Sequence, residues 1–584
     1  MSIQTRQSQP RSRLIWISGV LMFCGVVVVA RAAYMQLVTE DFYLRAGNER
    51  FLREVPIATT RGMITDRNGE PLAVSSPVES IWVNPKELLT DAKRVPELAK
   101  ALNLQVDELT LRLAQKKDKQ FMYLRRHMNP DDAKEIIDKD IPGVYSSREF
   151  RRFYPHREVM SQVLGFTNLD EHGVEGIELA FDDWLTGTPG MQKIIRDNRG
   201  RIVENVDLIK DAENGKDLTL TIDRRIQYLA YSELKKAILK HEARAGSAVV
   251  LDIATGEILA MVNYPSYNPN SRTTISPSLR RNAAVTDVLE PGSTMKPFTV
   301  AAALEDGVDP NIMIPIEPNG YYIANRKITD THYYGPIIDM RRLLVKSSNI
   351  GAAKLAGNMS NQHLYSVLNR FGFGEKTESN FPGESSAVLS APNRWGPVEK
   401  ATISYGYGLS VTPLQIAQAY ASLANDGMRI SPTFIKDKPP VLVKAIDKVV
   451  AGQVLNMLED VTKLGGTATQ AAIKGYRVAG KTGTSRRAVA GGYEKRYISL
   501  FAGVVPIDKP RFAMSVVVHE PSAGGYYGGV ISAPVFHNVM DGALRLMDVP
   551  PDNIEQWYVD KNKSTTKPEL IPEVDAPIIP EVTP

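Results

Sequence analysis

Three stretches of the chain place a serine three residues before a lysine: Ser232 with Lys235, Ser293 with Lys296, and Ser564 with Lys567. Such a pair can form a nucleophile and its base, because a lysine that has lost its proton can take one from a neighbouring hydroxyl. At average composition a chain of this length holds roughly two such pairs by chance, so the surroundings must decide. Ser564 lies in "KNKSTTKPELIPEVDAPIIPEVTP", which repeats "IPEV", is rich in proline and has no aromatic residue. That composition predicts a disordered tail over 561–584, with nothing to hold a base in place. Ser232 falls mid-helix in "YLAYSELKKAI", where a serine and a lysine on one face are ordinarily just solvated.

Ser293 has a different setting, "LEPGSTMKPFTVAAALEDG". Pro291-Gly292 turns the chain, and "TVAAALEDG" is a strong helix-forming run closed by glycine. Ser293 is therefore expected at or just before a helix N-terminus, where unpaired N–H groups and the helix dipole favour developing negative charge. Pro297 suits an early turn, and Lys296 returns to the face of Ser293. Lys296 can serve as base only if burial or a second nearby cation lowers its pKa. Two further stretches supply partners. "KSSNIG" carries Ser347, Ser348 and Asn349, and "AGKTGTS" carries Lys481, Thr482, Gly483 and Thr484. Ser-x-Asn alone reads equally well as a turn or helix cap; Lys-Thr-Gly is rarer. Their order, Ser-x-x-Lys then Ser-x-Asn then Lys-Thr-Gly, is the strong signal.

The elements that must bring these stretches together begin near residue 216. "DLTLTID" alternates as a strand does, and "RRIQYLAYSELKKAILKH" has helical spacing. "SAVVLDIATGEILAMV" reads as strand, turn, strand, and "YRVAGKTGT", "YISLFAGVV" and "RFAMSVVVHE" read as later strands. Helical stretches such as "TPLQIAQAYASLAND" and "AGQVLNMLEDVTKL" lie between the groups. The expected result is an α+β domain over 216–560, an antiparallel sheet of about five strands covered by helices. Before it, 31–215 reads as a mixed, β-rich module with a hairpin signal at Asn68-Gly69 and no catalytic motif.

Leu14–Ala30 is an uncharged apolar run preceded by Arg6, Arg11 and Arg13. It is long enough to span a bilayer, and the arginines predict a cytoplasmic 1–13 with everything after Arg31 outside. A cleaved signal peptide is the rival, with "ARA" at Ala30–Ala32 as its cleavage site; the apolar run exceeds the usual signal core of about 7–15 residues. With 43% hydrophobic and 23% charged residues, the rest is ordinary globular composition. A net charge of +4 without a basic cluster argues against nucleic acid. A single cysteine, Cys24, and eight histidines without a His-Glu-x-x-His pattern argue against a disulfide framework or a metal site, so no metal or other cofactor is expected.

Ser-x-x-Lys, Ser-x-Asn and Lys-Thr-Gly together form a known signature of penicillin-binding proteins and class A β-lactamases. The chain resembles the class B penicillin-binding proteins, membrane-anchored transpeptidases without a glycosyltransferase domain. "RGMITDRNGEPLAVS" and "GVEGIELAFDDWLTG" are similar to that family's N-terminal, dimerisation-type pedestal module. "EPGSTMKPF", "SYGYGLSVTPLQIA", "GYRVAGKTGT" and "YYGGVISAPVF" are similar to its transpeptidase domain, which has a serine β-lactamase-like fold. The wording is nearest the division-specific, FtsI-type branch of Gram-negative bacteria. The middle motif departs from the β-lactamase form by carrying Ser348 in place of aspartate.

The resemblance implies a substrate, roles and partners. The substrate is a peptidoglycan peptide stem ending in D-Ala-D-Ala, the second substrate an amine of a neighbouring stem, and β-lactams acylate the enzyme. Ser293 is implied as nucleophile, Lys296 as its base, Lys481 as the cation that keeps Lys296 poised, Ser347 as proton relay and Asn349 as orienting amide. Backbone N–H groups of Ser293 and Thr484 are implied as the oxyanion hole, and Thr482 and Thr484 as holders of the terminal carboxylate. Gly483 is implied to leave room for substrate pairing along a strand edge, and Tyr405, Tyr407, Tyr497 and Tyr527 to wall the cleft. Implied partners are the membrane, an FtsW-type glycan polymerase and other septal division proteins at the inner membrane. Three alternatives stand beside this reading: an elongation-specific transpeptidase, a carboxypeptidase or β-lactamase of the same fold, and a nucleotide-binding protein. The last rests on "GYRVAGKT", which matches the phosphate-loop pattern but lacks the preceding strand and following helix that such a loop needs.

Overall fold

The computed structural model describes residues 10–38, 52–196, 202–271, 275–489 and 492–553. Ser564 and the tail 561–584 lie outside the described residues. The apolar N-terminal run forms the helix Pro10–Leu37, which is long and apolar enough over Arg13–Leu37 to cross a membrane and buries none of that surface in protein.

The remainder forms two bodies, and they do not follow one another along the chain. One comprises Met1–Gly62, Ser75–Arg151 and Thr186–Lys216; the other comprises Met63–Val74, Arg152–Leu185 and the chain from Asp217 onward. A single division at 215/216 thus misses two excursions. The local reasons are physical. The strand Ile64–Thr65 pairs in parallel with Leu218–Thr219 and antiparallel with Pro71–Ala73, as the Asn68-Gly69 hairpin signal predicts. Asn270 bonds both backbone groups of Tyr154, Gln227 bonds the Val159 carbonyl, and the Tyr267 hydroxyl bonds the Ser161 carbonyl. Arg152 and Glu178 form an ion pair at 2.6 Å with side chains 1% and 0% exposed. By its contacts "GVEGIELAFDDWL" packs in the second of these bodies, and "DLTLTID" contributes only the two-residue strand Leu218–Thr219.

The first body holds an antiparallel sheet of Leu52–Ile57, Gly190–Arg196 and Ile202–Lys210. A separate small core gathers Ile81, Val83, Leu98, Leu109 and Leu124. Burial alone would raise the Glu149 carboxyl, but the His127 ring, the Ser80 and Tyr123 hydroxyls and the Arg126 guanidinium converge on it and hold it down at about 2.

The second body carries the expected five-stranded antiparallel sheet. Its order is Ile258–Tyr264, Ala245–Asp252, Phe512–His519, Gly492–Val505, Ala479–Val489. Burial is unbroken from Gly246 to Asp252 and from Phe512 to Val518, so both faces of the sheet are covered. Arg224–Lys240 and Gly528–Leu546 pack together and against it, and Pro413–Ala424 packs against its central strands. The helix Lys296–Glu305 is buried over its whole length to Leu304. Phe298 meets Phe371, Phe373 and Tyr420 with ring centroids 4.8, 5.1 and 5.5 Å away, an edge-on arrangement that adds to the burial of apolar area. Ala479–Val489 is the edge strand, and its free side faces the start of that buried helix.

Glu178→Gln removes the charge on one side of the fully buried ion pair and is expected to cost about 3–5 kcal/mol. A clearly lowered Tm of the detergent-solubilised protein checks it, and an unchanged Tm contradicts it.

Candidate active site

Ser293 sits in the single 3-10 turn Gly292–Met295 that leads directly into the buried helix Lys296–Glu305. Two contacts fix this turn. The Gly292 N–H donates to the Gly406 carbonyl at 3.0 Å, and the Tyr420 hydroxyl donates to the Thr294 carbonyl at 2.9 Å. Gly406 has φ +91°, and a Cβ there would lie 1.9 Å from the Gly292 carbonyl oxygen. Only glycine permits that approach. Ser293 itself remains partly exposed while Lys296 is wholly buried.

The Lys296 amine lies 3.0 Å from Ser293 Oγ, 2.5 Å from the Ser347 carbonyl oxygen, 3.1 Å from Ser347 Oγ and 2.7 Å from Asn349 Oδ1. The Ser347 carbonyl and Asn349 Oδ1 can only accept, whereas the two hydroxyls can donate. Two N–H bonds to the acceptors leave a neutral amine with a lone pair for the Ser293 hydroxyl proton. Burial pushes the Lys296 pKa down to about 7, against an opposing pull from Asp330.

Ser347 and Asn349 reach this point because Ser347 breaks one helix and Ser348 begins another. Met340–Lys346 ends at Ser347, which takes the left-handed conformation with φ +61°. Asn349–Asn358 starts next, and the Ser348 hydroxyl caps it by accepting from the Gly351 N–H at 2.9 Å. Asn349 Nδ2 donates to the Thr329 carbonyl at 3.0 Å, which turns its Oδ1 toward Lys296.

Asp330, missed in the sequence, secures this corner. Its Oδ1 accepts from the Asn349 and Ile350 N–H groups at 2.6 and 3.0 Å, and its Oδ2 accepts from the Ser348 hydroxyl at 2.5 Å. A carboxylate at a helix N-terminus is held by the unpaired N–H groups and the dipole. The carboxylate that the middle motif lacks at Ser348 is thus supplied by a residue 18 positions earlier. No local motif marks it.

Lys481, implied as the cation that keeps Lys296 poised, lies on the edge strand Ala479–Val489. It is 0% exposed, and its amine donates to the Thr482 carbonyl and hydroxyl at 3.2 and 3.5 Å, with no hydrogen bond to Ser293 or Lys296. Burial lowers its pKa well below the ordinary value, and the charge of Lys296 lowers it further. Two buried amines so close do not both hold a proton readily. Burial lowers the pKa of both amines.

The edge strand brings Thr482, Gly483 and Thr484 alongside the nucleophile turn. The Thr482 hydroxyl donates to Thr467 Oγ1 at 3.0 Å, a residue outside the three motifs. Thr484 Oγ1 accepts from the Gly528 N–H at 3.3 Å. A Cβ on Gly483 would meet the Pro291 carbonyl at 2.9 Å and Thr294 Cγ2 at 3.0 Å. The glycine is thus required by the close approach of the nucleophile turn, an internal reason besides the implied substrate pairing.

The four tyrosines fall into two groups. Tyr405 and Tyr407 lie 5.9 Å apart by ring centroid, and Tyr407 lies 5.9 Å from Tyr493. The Tyr407 hydroxyl donates to the Thr484 carbonyl at 3.4 Å, and burial pushes both Tyr405 and Tyr407 up to about 12. Tyr497 stacks on Tyr526 at 3.9 Å, which in turn meets Tyr527 at 4.6 Å. Tyr493 and Tyr526 are additions that spacing alone does not reveal. The "GYRVAGKT" pattern runs into the strand Ala479–Val489 with no helix after it, and what precedes it is the short 3-10 turn Thr469–Ala471 rather than a strand. The phosphate-loop alternative therefore fails its structural test.

Residues 246–541 match the model of the penicillin binding protein transpeptidase domain, and residues 56–220 match that of the penicillin-binding protein dimerisation domain. The chain is 41% identical over 570 residues to the peptidoglycan D,D-transpeptidase FtsI of Escherichia coli K12, covering 96% of each chain. It is 39% identical to the probable peptidoglycan D,D-transpeptidase PbpC of Pseudomonas aeruginosa, covering 94% of this chain and 98% of the other. Among solved structures it is similar to a peptidoglycan synthetase of Bifidobacterium adolescentis, with TM-score 0.68 and 27% identity over 86% of this chain and 98% of that one. It is also similar to the transpeptidase domain of Burkholderia pseudomallei penicillin-binding protein 3, with TM-score 0.53 and 39% identity over 57% of this chain and 97% of that one. The chain belongs to the class B penicillin-binding proteins.

The rate of acylation by penicillin is expected to rise with pH through a midpoint near about 7, as Lys296 loses its proton. Asp330 raises the Lys296 pKa, so Asp330→Asn should move that midpoint to lower pH and, by loosening Ser347 and Asn349, lower the plateau rate about tenfold. Acylation rates across pH 5–9, roughly the range over which such a group titrates, check both; a midpoint unmoved by the substitution contradicts the assignment.

Proposed function

We propose that the protein is a serine D,D-transpeptidase that cross-links peptidoglycan stems during septal wall synthesis. The observation that carries this reading is the buried Lys296 amine joining the hydroxyls of Ser293 and Ser347 to the Asn349 amide, in a chain of the penicillin-binding family. Relatives named peptidoglycan D,D-transpeptidase align along nearly its full length.

The chemistry follows from the geometry. Ser293 Oγ attacks the carbonyl of the penultimate D-Ala while its proton passes to the Lys296 lone pair. The N–H groups of Ser293 and Thr484 hold the oxyanion, an arrangement whose single donors are each worth about 3–4 kcal/mol in comparable sites. The tetrahedral adduct collapses, the C–N bond breaks, and the proton reaches the leaving D-Ala amine from Lys296 through Ser347. An amine of a second stem then attacks the ester and gives a proton to Lys296; the C–N bond forms, the acyl C–O bond to Ser293 breaks, and Lys296 returns the proton to Ser293 Oγ. Thr482, Thr484 and Lys481 meet the terminal carboxylate. That anion stabilises the charged form of Lys481 against the opposing effect of burial.

The helix Pro10–Leu37 serves as the single membrane anchor, with Arg6, Arg11 and Arg13 on the cytoplasmic side and the catalytic body in the periplasm. The division septum, an FtsW-type glycan polymerase and other division proteins are the setting that the resemblance to the division-specific branch implies. A hydrolase of the same fold is the competing outcome, distinguished by what attacks the acyl-enzyme.

Fluorescent penicillin is expected to label the chain as a long-lived adduct, and Ser293→Ala to abolish labelling. Full labelling of that variant contradicts the nucleophile assignment, and rapid release of the label contradicts transpeptidation in favour of hydrolysis.

A further inference from the structure

The strand Leu442–Lys444 pairs with Met428–Ile430 and with no other strand among the described residues. The Val441 carbonyl accepts from the Ser431 N–H at 3.1 Å, and the Ala445 N–H donates to the Gly427 carbonyl at 2.9 Å. Backbone groups alternate in direction along a strand, so Leu442 and Lys444 turn theirs outward, to an open edge. The same stretch exposes three apolar side chains in a row: Val441, Leu442 and Val443 are 51%, 48% and 43% exposed. Folded proteins ordinarily cover or charge such an edge, because it invites another strand. Exposed lysines bracket the apolar run, Lys438 before it and Lys444 at its end, the latter 3.5 Å from the exposed Asp447.

The chain itself carries a segment of matching pattern. Pro568 to Ala576 reads "PELIPEVDA", apolar at every second position, with Glu569, Glu573 and Asp575 between, and no lysine or arginine follows Lys567. That is the period of a strand with one apolar and one acidic face. Pro568 and Pro572 share a parity, so both missing N–H groups fall on one side, as an edge strand allows. Set antiparallel, one register matches the edge: Glu569 opposite Lys444, Leu570 opposite Val443, Ile571 opposite Leu442, Pro572 opposite Val441 and Asp575 opposite Lys438. Such apolar and opposite-charge pairs are what stabilises neighbouring strands. Ile571 then aims its N–H at Leu442, and Pro572 turns its missing one away. The second "IPEV", at Ile579–Val582, fits less well, because the same alignment sets Pro577 opposite Lys444. The chain can reach. Asp552 accepts from the Arg477 N–H at 2.7 Å, and the Arg477 guanidinium bonds Glu459 at 2.6 Å, so the described chain ends beside the C-terminal end of the helix Lys448–Glu459. This 12-residue helix is about 18 Å long, whereas the sixteen residues from Asn553 to Glu569 can span about 50 Å. A chain returning along the helix meets Lys444 before Val441, the order an antiparallel strand requires.

We propose that Glu569–Pro572 adds itself as a third, antiparallel strand to the open edge Val441–Lys444 of its own chain. A segment too poor in apolar surface to fold by itself can still order on a preformed edge, through main-chain bonds and alternate side chains. The test uses the full detergent-solubilised chain with Cys24→Ser. Val443→Cys and Leu570→Cys place thiols on a directly opposed, non-hydrogen-bonded pair, where Cα atoms stand about 4.5 Å apart, within disulfide range. Val443→Cys with Ile578→Cys is the control. Loop closure depends only weakly on length, so an undocked tail closes both disulfides at nearly the same rate, whereas docking in this register should favour the first by at least about tenfold. In a second measurement, amide exchange of Leu442 and Lys444 is followed by mass spectrometry in the unmodified chain. Ile571→Pro deletes the N–H aimed at Leu442 and should speed that exchange at least about tenfold. Equal closure of the two disulfides, a disulfide formed only between two chains, or exchange unmoved by Ile571→Pro overturns the proposal.

Discussion

The site depends on one constraint: an amine held without water and without a carboxylate in ion-pair contact. Lys296 is 0% exposed, and no ion pair to it is present among the described residues. Removing an ammonium from water is expensive unless it is paired, and the ordinary response is loss of the proton. The hydrogen bonds around it are to a carbonyl, an amide oxygen and hydroxyls, a set that suits a neutral amine. The nearest carboxylate, Asp330, turns its oxygens to Ser348 and the following helix instead. It tempers the loss of charge from a distance without cancelling it. Much of the second body can be understood as the packing that keeps Lys296 dry. The buried helix, the aromatic contacts of Phe298 and the Gly292–Gly406 approach all serve that end.

Much of this was legible in the sequence, for identifiable reasons. Ser293 and Lys296 are neighbours in the chain, so a turn and a helix are enough to bring them together. Ser347 and Asn349 are likewise local, and Lys481 to Thr484 lie on one strand. The strands themselves were visible as continuous apolar runs such as "SAVVLD" and "SVVV", the pattern of a sheet covered on both faces. What stayed hidden is tertiary. Asp330 stands in "KITDTH" without any local mark, and its role exists only once the chain folds back to the start of Asn349–Asn358. Tyr493, Tyr526 and Thr467 acquire meaning in the same way. The two excursions Met63–Val74 and Arg152–Leu185 escaped because composition changes along the chain, whereas bodies form by contact.

Two residues carry more than the reason their type suggests. Lys481 suggests a second cation when only charge is counted. Once burial is counted, the same surroundings that exclude water also lower its own pKa. Gly483 suggests space for substrate, and the fold adds a reason of its own in the close approach of the Pro291 carbonyl and Thr294. In both cases the residue type was informative and the explanation required neighbours that spacing does not reveal.

The protonation state of Lys296 is the most direct test of the account. Heteronuclear NMR of lysine-labelled protein, with the resonance assigned by Lys296→Arg, follows the side-chain nitrogen through a pH titration. The account predicts a transition near about 7. A Lys296 that stays protonated up to the ordinary lysine value of about 10.4 would contradict it.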